Sequence, residues 1–414
     1  MEGEEFLFYV GVDCSSDKHQ ACLVASNGEV VAESIVEHSG NGLESFSQWL
    51  NRSTKTAPAM VAIAIEVPHG PIVDSLVERG FAVFSINPKQ LDRFRDRYTV
   101  AGAKDDSRDA FVLADSLRTD QPCFKRVRLP SRFIVEIREL SRLEDDLHQE
   151  HNRGCNQLRE LLNRYFPQLL RLSPAADDAW IWEMLQAAPV PSRAAKLSVG
   201  RIERLLKRFR IRRIAASEVT DVLRTAPLQV APGTAEVVSE RALLLVARLQ
   251  LLRKQRTHIA KRIDQLITEE ITGEGAQNGD IPLLLSFPGL GRGGVATLFA
   301  EAWEPLTERN YYAFRAYAGL APVTRQSGKK RLIVMRYACN QRLRNACYHW
   351  SRVSLQNDVA NRAHYARLRA LGHSHGRALR GVADRLASIL MAVLKTRKPY
   401  ESTLRHRAKS ADAT

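Results

Sequence analysis

Residues 6–36 read FLFYVGVDCSSDKHQACLVASNGEVVAESIV. Three short apolar runs rich in strand formers, 6–14, 19–26 and 28–36, follow one another here. Asn27-Gly28 between the last two is a hairpin signal, because both residues tolerate the positive φ of a tight turn. The segment predicts a three-stranded meander. Working outward, Leu43, Phe46, Trp49 and Leu50 have helical spacing over 42–52. MVAIAIE (60–66) is too apolar to alternate and predicts a buried strand. Residues 71–80 look helical, and FAVFSI (81–86) is a further strand ended by Asn87-Pro88. Phe111, Leu113, Ala114 and Leu117 return a helix over 106–118. The order β-β-β-α-β-α-β-α gives an α/β N-terminal domain, three antiparallel strands followed by βαβ crossovers.

Beyond residue 125 the pattern changes. Apolar positions run Ile137, Leu140, Leu147, Leu158, Leu161 and Tyr165, and later Leu245, Leu249, Leu252, Arg256, Ile259, Ile263 and Leu266. The second set alternates spacings of four and three, the seam of a coiled coil or the buried face of a bundle helix. Residues 173–191, with three prolines and two tryptophans, read as a connection, and 192–225 as a basic helical stretch. LLLSFPGLGRGGVATLFAEA (283–302) reads as helix, glycine-rich hairpin, helix. Gly289 and Gly291 there either free backbone N–H groups for a phosphate or serve helix packing. RLIVM (331–335) predicts a strand, and helices are expected over 339–371 and 377–394. The expected domains are 1–125 (α/β), 126–275 (helical, coiled coil, oligomerisation) and 276–414 (basic, mainly helical, with a helix-hairpin-helix-like element).

Composition narrows the function. Of 414 residues 44 % are hydrophobic, enough for real cores. No apolar run reaches the roughly 18–20 residues of a membrane span. Met1 is followed by Glu2, Glu4 and Glu5, so a secretory leader is not expected. The six cysteines form no CxxC pair, which argues against a zinc ribbon and predicts free thiols in the cytoplasm. The net charge is +15, yet residues 311–414 alone hold 21 basic and 4 acidic residues, a net +17, leaving −2 for 1–310. Tyr311, Tyr312, Phe314, Tyr317, Tyr337, Tyr348 and Trp350 are interleaved with those charges. A basic, aromatic-rich end points to nucleic acid rather than to a solubilising tail.

Carboxylates stand at telling places. Asp13 and Glu66 each end an apolar strand, where burial is costly without a compensating cation or hydrogen bonds. Asp106 and Asp109 in AKDDSRDA (103–110) share one helix face, with Asp105 competing with Asp106. In the expected fold these four converge, and oxygen-only donors select Mg²⁺ or Mn²⁺. Taken singly, each is equally a surface acid or a helix N-terminal acid. Ser327 lies among Arg325, Lys329, Lys330 and Arg331, with Gly328 allowing close backbone approach to a phosphate. No histidine or carboxylate is near it in sequence to take its proton.

GVDCSSDKH (11–19), AIEVPHG (64–70), INPKQLDRFR (86–95) and AKDDSRDA (103–110) resemble the RNase H-fold, RuvC-like domain of the DEDD transposases of bacterial insertion sequences, of the IS-one-ten type. SFPGLG (286–291) and YAGLAPVTRQSGKKRL (317–332) resemble their C-terminal transposase domain. The resemblance implies a recombinase guided by a structured RNA that pairs with donor and target DNA. It implies Asp13, Glu66, Asp106 and Asp109 as catalytic Mg²⁺ or Mn²⁺ ligands, and Ser327 as a nucleophile that holds DNA covalently. It also implies a homo-oligomer, dimer or tetramer, whose different subunits complete one site, in a bacterial, nucleoid-associated setting. Three other readings compete: a metal-dependent nuclease or junction resolvase without serine chemistry, a non-enzymatic nucleic-acid binder, and, last, a sugar-kinase-like fold lacking its glycine-rich adenosine loop.

Overall fold

The computed structural model describes residues 5–98, 105–273, 279–328 and 330–401. The chain divides into two compact units, 1–130 and 131–414.

The first unit is a mixed sheet between helices. Strands β1 (Phe8–Cys14), β2 (Lys18–Ala25) and β3 (Val30–Glu37) form the antiparallel meander. Helix α1 (Gly40–Thr54) carries the chain to β4 (Val61–Ile65), which lies parallel to β1 on its other side. Helix α2 (Pro71–Glu78) leads to β5 (Ala82–Ser85), parallel to β4. Two helices, α3 (Pro88–Arg95) and then α4 (Asp106–Thr119), precede a two-residue edge strand β6 (Lys125–Arg126). The sheet order is β3-β2-β1-β4-β5-β6. Helix α3 is not foreseen by the strand-ending Asn87-Pro88. The same dipeptide starts it: Asn87 caps the Lys89 N–H at 3.0 Å and Pro88 takes the first helical position.

Alternation sorts the side chains of the sheet onto two faces. Val10, Val12, Leu23, Ile63 and Ile65 pack with Phe46 and Leu50 of α1 and Ile72 and Leu76 of α2. Tyr9, Ala62, Ala64 and Phe84 pack with Val112, Leu113 and Leu117 of α4. With both faces covered, β4 is buried at every position, as its unbroken apolar run requires. Helix α4 crosses β1 at Gly11. A Cβ there would lie 1.9 Å from the Ala110 carbonyl oxygen and 2.6 Å from the Ala114 nitrogen. That contact brings the first turns of α4 beside the end of β1.

Among the described residues the second unit is helical apart from one hairpin. Helix α5 (Arg132–Tyr165) leads into α6 (Gln168–Leu172), α7 (Ala179–Ala187), α8 (Pro191–Ala194), α9 (Val199–Arg208) and α10 (Ala216–Arg224), and returns along α11 (Thr234–Thr272). At 1.5 Å per residue α5 and α11 are each about 50–60 Å long. Leu249, Leu252, Ile263 and Leu266 are buried on α11, and Arg256 between them pairs with Glu144 of α5 at 3.0 Å. Gly154 admits Leu249: a Cβ there would stand 2.8 Å from its Cδ2. The four-three spacing is therefore a seam between two helices of one chain, and Leu249 and Ile263 are consumed in it.

A separate core sits at each end of this helix pair. At the tip, Trp180 and Trp182 are wholly buried with Tyr165, Leu185, Ile202 and Leu223. The expected connection over 173–191 is thus partly a core helix. Its prolines, Pro174, Pro189 and Pro191, flank α7 rather than interrupt it. At the other end Ile134, Ile137, Ile263 and Leu266 join the core of the remaining helices. These are α12 (Ile281–Leu285), α13 (Arg292–Thr307), α14 (Tyr311–Tyr317), α15 (Gln341–Asn357), α16 (Val359–Ala370) and α17 (His375–Thr396). Segments 126–275 and 276–414 share that core. The helix expected over 339–371 breaks at Asp358, which ends α15 and caps the Asn361 N–H at 2.8 Å. Among the described residues no helix is long and apolar enough to cross a membrane.

Candidate functional site

Asp13 and Glu66 stand at adjacent strand ends. The parallel register pairs Val12 with Ile65, so the next residues of the two strands are these carboxylates. Asp13 alternates with Tyr9 and Gly11 and so belongs to the α4 face. Both acids are half-buried. Their charges reach Cys14: burial first, then Asp13 and Glu66, push its thiol up to about 12. Two negative groups acting on one sulfur mark a locally anionic corner.

Helix α4 supplies the other pair. Asp105 is its N-cap and accepts from the Ser107 N–H at 3.3 Å. That use leaves Asp106, exposed in the first turn, as the acid directed outward. Ser107 accepts from Gln20 Nε2 at 2.9 Å, which ties this turn to the β2 residue paired with Asp13. Asp109, one turn on, is 3 % exposed. Arg95 of α3 holds both its oxygens, Nε at 2.8 Å and Nη2 at 3.0 Å, and reaches Asp92 at 2.7 Å as well. Among the described residues no three acid, histidine or cysteine side chains converge closely enough to hold a metal ion. The donor chemistry at Asp13 and Glu66 suits a hard cation, whereas Asp109 as it stands is neutralised by a guanidinium. Arg95 has no signal in sequence as an acid partner, because it sits 14 residues from Asp109 on a different helix.

The serine lies in the second unit. Strand β7 (Val323–Ser327) turns through Gly328 into β8 (Lys330–Val334). Lys329 lies outside the described residues. Ser327 pairs with Lys330, Gln326 with Arg331, and Arg325 with Leu332. Directly opposite residues share a face and alternate along the strand. Ser327 therefore shares its face with Arg325, Lys330 and Leu332, and Arg331 lies on the other. Residues 324–328 and 330–333 are all exposed. Among the described residues the Ser327 hydroxyl has no hydrogen-bond partner, so it has no local base.

The hairpin is anchored at its base. The Asn340 N–H donates to the Tyr317 carbonyl at 2.9 Å, and its side chain donates to Glu301 of α13 at 2.6 Å. Glu301 also accepts from Arg142 of α5 at 3.0 and 3.3 Å. Burial works against ionisation of Glu301, but the bonds from Arg142 and Asn340 outweigh it and hold the carboxyl below its ordinary value. Of the two glycines before α13, Gly289 has φ +78° and lies against α15. A Cβ on it would stand 2.8 Å from the Ser354 nitrogen and 3.0 Å from the Val353 carbonyl carbon. Gly291, the N-cap of α13, meets only open space.

The chain is similar to known proteins along most of its length. Residues 10–167 match the DEDD transposase family of IS110, and residues 281–366 match the transposase IS116/IS110/IS902 family. A Streptomyces coelicolor protein named as a mini-circle transposase for IS117 is 30 % identical over 403 residues, covering 95 % of each chain. A Sinorhizobium fredii protein named as transposase y4uE is 46 % identical over 209 residues, which is 50 % of this chain and 58 % of that protein. The uncharacterised 43.6 kDa protein of insertion element IS110, also from S. coelicolor, is 26 % identical over 97 % of both chains. With one family matched across its α/β unit, another across its serine hairpin, and a relative aligned over nearly its whole length, the chain belongs to the IS116/IS110/IS902 family of transposases, enzymes that cut and rejoin DNA.

Proposed function

We propose that the chain is an RNA-guided serine recombinase that excises and inserts the DNA of an insertion sequence. The observation that carries this reading is the placement of Ser327 beside the tip of an exposed hairpin, on one face with Arg325 and Lys330. In the proposed step the Ser327 oxygen attacks a DNA phosphorus. An Oγ–P bond forms, one P–O bond to deoxyribose breaks, and the freed sugar oxygen takes a proton. One phosphodiester replaces another, so the reverse attack by a sugar hydroxyl rejoins DNA without an external energy source. Arg325 and Lys330 stabilise the charge that grows on the phosphoryl oxygens. The proton of Ser327 passes to a group that arrives when the nucleic-acid complex, with a second or further copies of the chain, assembles.

The first unit is proposed to have the RuvC-like fold, and its corner at Asp13, Glu66 and Asp106 to hold Mg²⁺ or Mn²⁺, with Asp109 joining once Arg95 lets go. A bound ion there would polarise a phosphate oxygen. The short helix, glycine turn and helix over 281–307 are proposed to act as a helix-hairpin-helix element whose Gly291 end faces phosphate, together with Arg325, Lys329, Lys330 and Arg331. The RNA guide and the oligomer rest on the family resemblance. Recombination of a plasmid-borne element in cells tests the reading. Asp13→Asn, Glu66→Gln and Ser327→Ala should each abolish it while binding to element-end DNA persists. Recombination by Ser327→Ala at the wild-type rate would exclude Ser327 as the nucleophile and leave strand transfer to the acid corner.

A further inference from the structure

The tip of the second unit carries a basic surface that neither the acid corner nor the serine hairpin uses. Residues 192–225 hold ten basic and three acidic side chains. This excess is hidden in the near-zero sum for residues 1–310. Helix α9 buries Ile202 and Leu206 in the tip core and turns Arg201, Arg204, Lys207 and Arg208 to solvent. Between α9 and α7 lies an open cleft of about 410 Å³, floored by Met184, Leu197 and Leu205 and rimmed by Arg201, Arg204 and Arg208. Its volume falls in the range of ligand sites, roughly 300–1,000 Å³.

The charges of the rim are incompletely answered. Glu183, the acid of the cleft, is ion-paired with Arg208, and exposed Glu203 of α9 pairs with Lys207 at 2.9 Å, which leaves Arg201 and Arg204. Arg204 Nε reaches only the Gly200 carbonyl of its own helix, at 3.2 Å. Arg201 has no ion-pair or hydrogen-bond partner among the described residues, and neither do the exposed side chains of Arg193, Arg210 and Arg212. Guanidinium groups that outnumber the acids beside them repel one another, and a phosphate chain relieves that repulsion through planar two-point hydrogen bonds. The apolar floor narrows the partner further. A duplex turns its bases inward and has no use for a recessed aliphatic surface between arginines. An unpaired nucleotide offers a flat apolar face and a phosphate within one residue's reach.

We propose that this cleft binds an unpaired nucleic-acid segment, with a base against Leu197 and Leu205 and the flanking phosphates on Arg201 and Arg204. The inference goes beyond the recombinase reading and needs neither Ser327 nor a metal. RNA and DNA share the recognised chemistry, so the test carries both.

Fluorescence anisotropy on the full-length protein would use labelled oligouridine, oligothymidine and a mixed-sequence duplex, each of about 12 nucleotides or base pairs, within the usual span of single-strand sites. Arg201→Ala/Arg204→Ala should weaken single-strand binding about tenfold and lower its salt slope by about 1.4, two phosphates at 0.7 each. Duplex binding should stay within about twofold, since the C-terminal charges are untouched. Both positions are exposed, so an unchanged thermal melt verifies the fold. Leu205→Asn, which keeps every charge, should weaken single-strand binding with no change in salt slope. A loss shared by oligouridine and oligothymidine, or confined to one, supports the site and identifies its sugar. Equal loss on the duplex would reduce the patch to a general positive field, and unchanged single-strand affinity in both variants would overturn the proposal. Ser327→Ala should match wild type here, so failure of the nucleophile leaves this result intact.

Discussion

Arg95 grips Asp109 through both carboxylate oxygens, at 2.8 and 3.0 Å. One of the four candidate metal ligands is thereby held by a guanidinium on a neighbouring helix. Removing one partner of a buried pair leaves the other uncompensated, at a cost of about 3–5 kcal/mol. The Arg95 side chain is 28 % exposed, so solvent softens this. Arg95→Ala should destabilise the first unit by about 2 kcal/mol. Millimolar Mg²⁺ should recover part of that loss by taking the guanidinium's place. Thermal melts with and without Mg²⁺ check this. Equal Mg²⁺ shifts in wild type and variant would show that Arg95 and the metal do not compete.

Gly289 and Gly291 should separate by role. Gly289 has φ +78° and the α15 backbone beside it, so Gly289→Ala meets both conformational strain and a clash. It should cost the second unit about 3 kcal/mol. Gly291→Ala enters open space and should leave the melt unchanged while weakening DNA binding. If both variants melt alike, the packing account of Gly289 is wrong.

The hairpin should contribute counterion-linked affinity. Arg325, Lys330 and Arg331 are exposed, and Arg325→Ala/Lys330→Ala/Arg331→Ala should lower the duplex salt slope by about 2–3 at 0.9 per phosphate contact. Substitution is a sounder test than deletion of the C-terminal quarter, because α14, α15 and α17 complete the core that α5 and α11 enter. An unchanged slope would remove these residues from the interface.

Stability of the second unit should fall in acid through Glu301. Its carboxyl is held below the ordinary value in the fold, so the unfolded chain binds the proton first. The stabilisation is present above the ordinary carboxylate range and is lost as pH falls through the folded value. Glu301→Gln should cost about 1–3 kcal/mol at neutral pH and much less near pH 3. Urea midpoints at both pH values measure it. A constant difference would mean that the Arg142 and Asn340 bonds carry no charge dependence.

Much of the first unit is legible because its signals are local. The Asn27-Gly28 turn, the unbroken run of β4 and the spacing of α4 fix the strand order, and with it the neighbours Asp13 and Glu66. Arg95 is illegible because its role exists only once α3 packs against α4. Trp180 and Trp182 are hidden by flanking prolines, whose breaking effect stops at the ends of α7. The spacing of Leu249 and Ile263 identifies a seam but not its partner, which is α5 of the same chain. The tip's charge escapes a whole-segment sum because acidic residues elsewhere in 1–310 cancel it.

Ser327 is proposed to form the covalent bond to DNA. The decisive experiment incubates the protein, with any RNA that co-purifies with it, and Mg²⁺ with an element-end duplex nicked to trap the intermediate, digests the product, and maps the adduct by mass spectrometry. A nucleotide on the peptide containing Ser327, absent in Ser327→Ala, is the expected result. Attachment at Ser286, Ser351 or a tyrosine, or strand cleavage with no adduct at all, would contradict it.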